Sequence, residues 1–125
     1  MTLIAKIKFQ EQHQQLTVIP RERSKNILAY LHKHYAEKVT INDSATAVNI
    51  SPKECIRSFK KNIHQTPIEY LLNYRVEQAK KILRHSELSI TDIALRAGFS
   101  TSAYFSKIFK ERVGMTLREY RQRQG

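Results

Sequence analysis

Thr40–Glu54 reads TINDSATAVNISPKE, and Ser89–Ala103 reads SITDIALRAGFSTSA. Laid side by side, the stretches set Ile41 against Ile90, Asp43 against Asp92, Ala45 against Ala94, Ile50 against Phe99 and Ser51 against Ser100. One extra residue then enters the second copy. Beyond it, Phe59-Lys60 aligns with Phe109-Lys110, Thr66 with Thr116, and Glu69-Tyr70 with Glu119-Tyr120. The chain is therefore an internal repeat with a period of about 50 residues, one supersecondary unit used twice.

Each copy predicts a short helix, a tight turn and a second short helix. Thr40 and Ser89 are helix-starting residues with Asp43 and Asp92 three positions on, the spacing of a capping box. Two helices that cross closely need a small residue midway along the first, and Ala45 and Ala94 sit there. The turn needs a residue that tolerates positive φ. Gly98 supplies it in one copy and Asn49, the next best choice, in the other. Ile50 and Phe99 follow as apolar plugs. The second helix turns Cys55 and Phe59 inward in one copy, and Phe105, Ile108 and Phe109 in the other. Its opposite face is basic: Lys53, Arg57, Lys60 and Lys61, then Lys107, Lys110 and Arg112. A helix fits the major groove, where Arg and Lys reach guanine edges or phosphates.

Outward from the repeat, Ser51-Pro52-Lys53-Glu54 is a full helix start. Ser51 accepts from exposed N–H groups, Pro52 fits the first turn and Glu54 reaches back. That helix should run to about Asn62. Thr66-Pro67-Ile68-Glu69 repeats the signal and opens a long helix with apolar Ile68, Leu71, Leu72, Val76, Ala79, Ile82 and Leu83. Its roughly 18 residues span about 27 Å. Upstream, Ile27, Leu28, Leu31 and Tyr35 form an apolar stripe. In residues 1–19, Leu3, Ala5, Ile7 and Phe9 alternate as a strand would, while Gln10–Leu16 holds helix formers, and a helix is expected. Pro20 and Arg21-Glu22-Arg23 mark a boundary.

The bulk numbers agree. The 125 residues carry a net charge of +11, which favours polyanionic partners. Three Gly and three Pro are too few for an all-β fold. The lone Cys55 excludes an internal disulfide framework and suits a reducing cytoplasm. Membrane surfaces are anionic too, so charge alone does not choose between partners. No apolar run approaches the roughly 18 residues of a membrane span, and a soluble chain with no membrane partner is expected.

Ile90-Thr91-Asp92-Ile93-Ala94, Ala97-Gly98-Phe99, Tyr104-Phe105-Ser106-Lys107, Phe109-Lys110, Gly114, Thr116 and Tyr120-Arg121 together resemble the signature of AraC/XylS-type bacterial transcription regulators. The first copy and Tyr74-Arg75-Val76-Glu77-Gln78-Ala79 are similar to that family's first unit and linker helix. The resemblance covers residues 24–123. It implies an all-α fold of about seven helices, with two recognition helices on one face. It also implies control of transcription, typically as an activator, through promoter DNA and RNA polymerase. Carried over by position, it makes Lys53, Ile56 and Arg57 base-edge candidates in the first unit, and Ser102, Ala103, Ser106 and Lys107 in the second. Lys60, Lys61 and Lys110 join them from the basic faces. Such regulators usually carry an N-terminal sensor domain that binds any effector. Residues 1–20 are then its remnant or a native tail. Residues 21–125 form the DNA-binding domain: first unit 24–65, linker helix 66–84, second unit 85–123. With a linker of about 27 Å and one duplex turn of about 34 Å, two major-groove patches about 10 base pairs apart are expected. The chain departs from the pattern where Ser44 and Ser58 replace the apolar residues seen at Ile93 and Ile108. His64 stands where Gly114 ends the second helix, and Leu117 where Pro67 keeps a proline.

Other readings are weaker. A basic module for an acidic protein or RNA needs charge but not the doubled Ala–turn–apolar spacing. An enzyme would need a nucleophile–base pair, a phosphate-cradling glycine loop or a metal cluster, and none is legible. His13, His32, His34, His64 and His85 have no metal-ligand spacing, so neither metal nor cofactor is expected. Cys55 reads as core, Tyr70 and Tyr120 as helix packing, and Arg75 as either an internal ion pair or a DNA contact.

Overall fold

The structure, a computed structural model, describes residues 21–124. The helix expected within residues 1–19 lies outside the described residues. All regular structure among the described residues is helical: α1 (residues 21–34), α2 (Ile41–Ala47), α3 (Pro52–Ile63), α4 (Pro67–His85), α5 (Ile90–Arg96), α6 (Ser102–Val113) and α7 (Leu117–Gln124). No described helix is long and apolar enough to cross a membrane.

The local chemistry that starts and stops these helices was legible. Thr40 and Asp43 form a reciprocal capping box, each side chain on the other's backbone N–H at 3.0 Å. Thr116 and Glu119 do the same at 2.8 and 3.1 Å. The bond from the Thr116 backbone N–H is the main reason the Glu119 carboxyl titrates below its ordinary range. Ser51, Ser89 and Thr101 cap α3, α5 and α6 through their side-chain oxygens.

Thr101 corrects the alignment. The residue matching Ser51 is Thr101, not Ser100, because Thr101 Oγ1 accepts from Tyr104 N as Ser51 Oγ accepts from Glu54 N. The extra residue of the second copy therefore lies in the turn before α6. A second correction concerns Glu54. Its carboxylate does not complete a capping box with Ser51 but binds Arg23 and Arg57, since two guanidinium donors are stronger partners than one backbone amide.

The inter-helix turns match in both copies. Ile50 N bonds Ala45 O at 3.0 Å and Phe99 N bonds Ala94 O at 2.8 Å, with Asn49 and Gly98 at φ 62 and 97. Phe99 is the buried plug expected, its ring 4.9 Å from that of Phe105. Ile50 is only half-buried, and so plugs less. The recognition-helix C-termini also match. His64 (φ 69) and Gly114 (φ 87) are both left-handed and return their N–H to Lys60 O and Lys110 O. A Cβ in this region is strained by about 1 kcal/mol, offset partly by the greater chain entropy of glycine. His64→Gly is therefore expected to be neutral or to stabilise by up to about 1 kcal/mol. A clear drop in the urea midpoint would show that the His64 side chain contributes something the cap does not.

The described residues form two compact units, 21–30 with 40–67, and 31–39 with 68–124. In the first, Ile27, Ala45, Cys55 and Phe59 are buried. Burial also pushes the Cys55 thiol up, away from reactivity. The serines that break the apolar pattern are buried too. Ser44 Oγ donates to Thr40 O at 3.2 Å, and Ser58 Oγ to Glu54 O at 2.9 Å. Ser24 Oγ donates to Ser58 O at 3.1 Å, and Asn62 Nδ2 donates to both Ser58 O and Ser24 Oγ. Each hydroxyl has a partner, so the burial penalty of an unpaired polar group does not arise. A hydrogen-bonded seam between α1 and α3 does here what Ile108 does in the second unit.

The second unit is apolar. The α4 stripe Val76, Ala79 and Leu83 joins Ile93, Ala94, Phe99, Phe105, Ile108, Phe109, Leu117 and Tyr120 in one cluster. Phe109 meets Phe105 and Tyr120 edge-on, with ring centroids 5.9 and 5.5 Å apart. Arg84 donates to the Tyr120 hydroxyl at 2.6 Å, and Arg121 to Ser86 O at 2.9 Å. Arg75 resolves differently from either expectation. Its Nε and Nη2 donate to the carbonyls of Tyr35 and Glu37, both at 2.8 Å. It thereby satisfies carbonyls just beyond α1 that no helical N–H reaches.

Candidate nucleic-acid interface

Core packing fixes the rotation of each recognition helix. α3 turns Cys55, Ser58 and Phe59 inward, and α6 turns Phe105, Ile108 and Phe109 inward. On the outward side of α3, Lys53, Arg57, Lys60 and Lys61 are exposed, and Ile56 is 38% exposed. On α6, Ala103, Ser106, Lys107 and Lys110 are exposed and Ser102, at the first helical position, is half-buried. With the register set by the caps, 53, 56, 57 and 60 match 103, 106, 107 and 110. Each set has the i, i+3, i+4, i+7 spacing of a single helix face. The sequence-predicted residues thus fall on one stripe per helix, with Lys61 and Ser102 at its margins.

The stripes differ chemically. The first carries Lys, Ile, Arg and Lys; the second carries Ala, Ser, Lys and Lys. Arg57 is not a loose surface charge. Glu54 holds it through two bonds, to Nε at 3.0 Å and to Nη2 at 2.8 Å, and Arg23 of α1 holds the same carboxylate at 3.1 Å. Beside α6, an open groove brings Lys107 and Lys110 together with Arg118 of α7, with Glu111 and Thr116 also on its wall.

Arg23, Glu54 and Arg118 were not among the sequence candidates. Arg23 read as boundary charge and Glu54 as a cap. Arg118 has no basic counterpart, since Ile68 occupies the matched position. Arg112, placed on the basic face by sequence, instead donates to Asn73 Oδ1 at 2.6 Å within its own unit.

Comparison with known proteins adds four findings. Residues 44–123 match the helix-turn-helix domain family. The chain is 34% identical over 114 residues, 91% of its length, to the uncharacterized HTH-type transcriptional regulator YdeC of Bacillus subtilis, and spans 39% of that protein. It is 38% identical over 96 residues, 77% of its length, to the HTH-type transcriptional activator RhaS of Escherichia coli, and spans 34% of it. The chain thus spans well under half the length of these relatives. Among solved structures, a Chromobacterium violaceum transcriptional regulator of the AraC-type DNA-binding domain-containing proteins superposes with a TM-score of 0.78 at 26% identity, over 84% of this chain and 94% of that one.

Proposed function

Since the chain belongs to the AraC-type helix-turn-helix transcription regulators, we propose that it binds duplex promoter DNA sequence-specifically through α3 and α6, each in its own major-groove segment. The observation that carries this reading is the paired stripes. In both units an aromatic-anchored helix turns residues of matched spacing outward, short or basic except for Ile56. Lys53, Ile56 and Arg57 read base edges in one segment. Ser102, Ala103, Ser106 and Lys107 read them in the other, where Ile56-like apolar contact gives way to small hydroxyls. Lys60, Lys61, Lys110 and Arg118 grip phosphates, which orient the protein but carry no sequence information. The protein acts in the bacterial cytoplasm as an activator. RNA polymerase is its protein partner, and any effector binds outside this chain. No enzymatic step belongs to the role.

Two substitutions separate reading from gripping. Arg can form a bidentate pair with guanine, whereas Lys acts as a point charge. Arg57→Ala should weaken the selected site by about 1–3 kcal/mol and relax one patch. Lys107→Ala should have a smaller effect, spread evenly across sequences. Randomised-duplex selection with both variants, followed by gel shifts on selected and random duplex, measures this. Equal affinity of the parent chain for selected and random duplex would replace the reading with that of a basic module for RNA or an acidic protein.

A further inference from the structure

Glu54 sits on α3 three residues before Arg57, outside the outward stripe, and is fixed from several sides. Its backbone N–H is bound by Ser51 Oγ at 3.1 Å. Its Oε2 accepts from Arg23 Nη1 of α1 at 3.1 Å and from Arg57 Nη2 at 2.8 Å, while Oε1 accepts from Arg57 Nε at 3.0 Å. The Glu54 side chain is 24% exposed and that of Arg57 65%.

A guanidinium has two edges that can donate parallel bonds: Nε–H with Nη2–H, and Nη1–H with Nη2–H. Glu54 occupies the first. The second belongs to a side chain that is largely exposed, and it has the form that matches guanine O6 and N7. A free Arg on this face would choose among many rotamers and could settle on phosphates, which offer affinity without discrimination. Clamped side-on, it has its plane set before DNA arrives. Arg23 makes the clamp more than an isolated surface pair, because it ties the carboxylate to another helix. Two guanidiniums and one carboxylate leave one net positive charge, so the arrangement still suits a polyanion.

We propose that Glu54 is a positioning residue for base recognition: it holds the side-on edge of Arg57 so that the end-on edge meets guanine, and so sets the specificity of the first unit. This rests on the reading of Arg57 as a base contact.

The test is randomised-duplex selection with the full chain and its Arg57→Ala, Glu54→Gln, Glu54→Ala and Glu54→Gln/Arg57→Ala variants, with binding to random duplex as the measure of folded protein. Arg57→Ala should relax one base pair. Both Glu54 variants should lower the guanine preference at that same base pair by about five- to tenfold, the gain from preorganising one long side chain. Preference elsewhere should hold, and binding to random duplex should be equal or tighter because a negative charge is gone. The double variant should match Arg57→Ala alone. An unchanged preference at that base pair in both Glu54 variants overturns the proposal, as does a loss spread evenly over the site. If Arg57→Ala itself changes nothing, the base-reading role of Arg57 fails first and the proposal falls with it.

Discussion

Gly98→Ala should destabilise the second unit by roughly 3–5 kcal/mol, a large share of what a domain of this size has. The residue is at φ +97, and a Cβ built there would lie 2.2 Å from Tyr35 O, 2.6 Å from Arg75 Nε and 3.2 Å from Ala36 Cα. The first two atoms are the acceptor and donor of one hydrogen bond, at 2.8 Å. A methyl group would therefore strain the backbone by about 1–2 kcal/mol and also push apart a charge-assisted bond worth about 1.5–3 kcal/mol. Tyr35 O is backbone and cannot rotate away. Gly114→Ala is the control. Its φ is +87, yet a Cβ there meets nothing within 4 Å, so about 1 kcal/mol is expected. Urea melts of both variants decide the matter. Equal losses would mean that only the left-handed conformation counts, and that the approach of Tyr35 is relaxed without penalty.

Raising salt from 50 to 200 mM should weaken DNA binding by about 10³–10⁴-fold. The estimate assumes that the two units together neutralise about six to eight phosphates, which gives a slope of log K against log salt of roughly −5 to −7. The exposed cations Lys53, Lys60, Lys61, Lys107, Lys110 and Arg118 can supply much of that number, within a chain of net charge +11. Arg57 should contribute less to the slope than any of them, since Glu54 already balances part of its charge. Fluorescence anisotropy over a salt series measures the slope. A nearly flat line would assign the positive charge to another partner.

The sequence by itself determined the elements that depend on neighbours along the chain. A cap needs an oxygen and an N–H three residues apart, so Thr40, Ser51, Ser89 and Thr116 were legible as helix starts. A helix face needs only its spacing, so the inward residues of α3 and α6 and the outward stripes were legible as well. A left-handed helix end follows from a residue's own sterics and its match to a glycine elsewhere, which is why His64 was readable against Gly114. The repeat then supplied each reading twice. What the sequence left open was decided by bonds that close long loops. Arg23 meets Glu54 across 31 positions, and Arg75 meets Tyr35 across 40. No local pattern encodes such a meeting, because it depends on which helices pack and at what rotation. The two turns show the division most plainly. Asn49 and Gly98 both sit at positive φ, but at 62 the first is open to an Asn while at 97 the second strains any side chain. In the second unit the carbonyl of Tyr35 also fills the space of a Cβ, so tertiary packing adds to the turn's own preference and turns it into a requirement for glycine at 98.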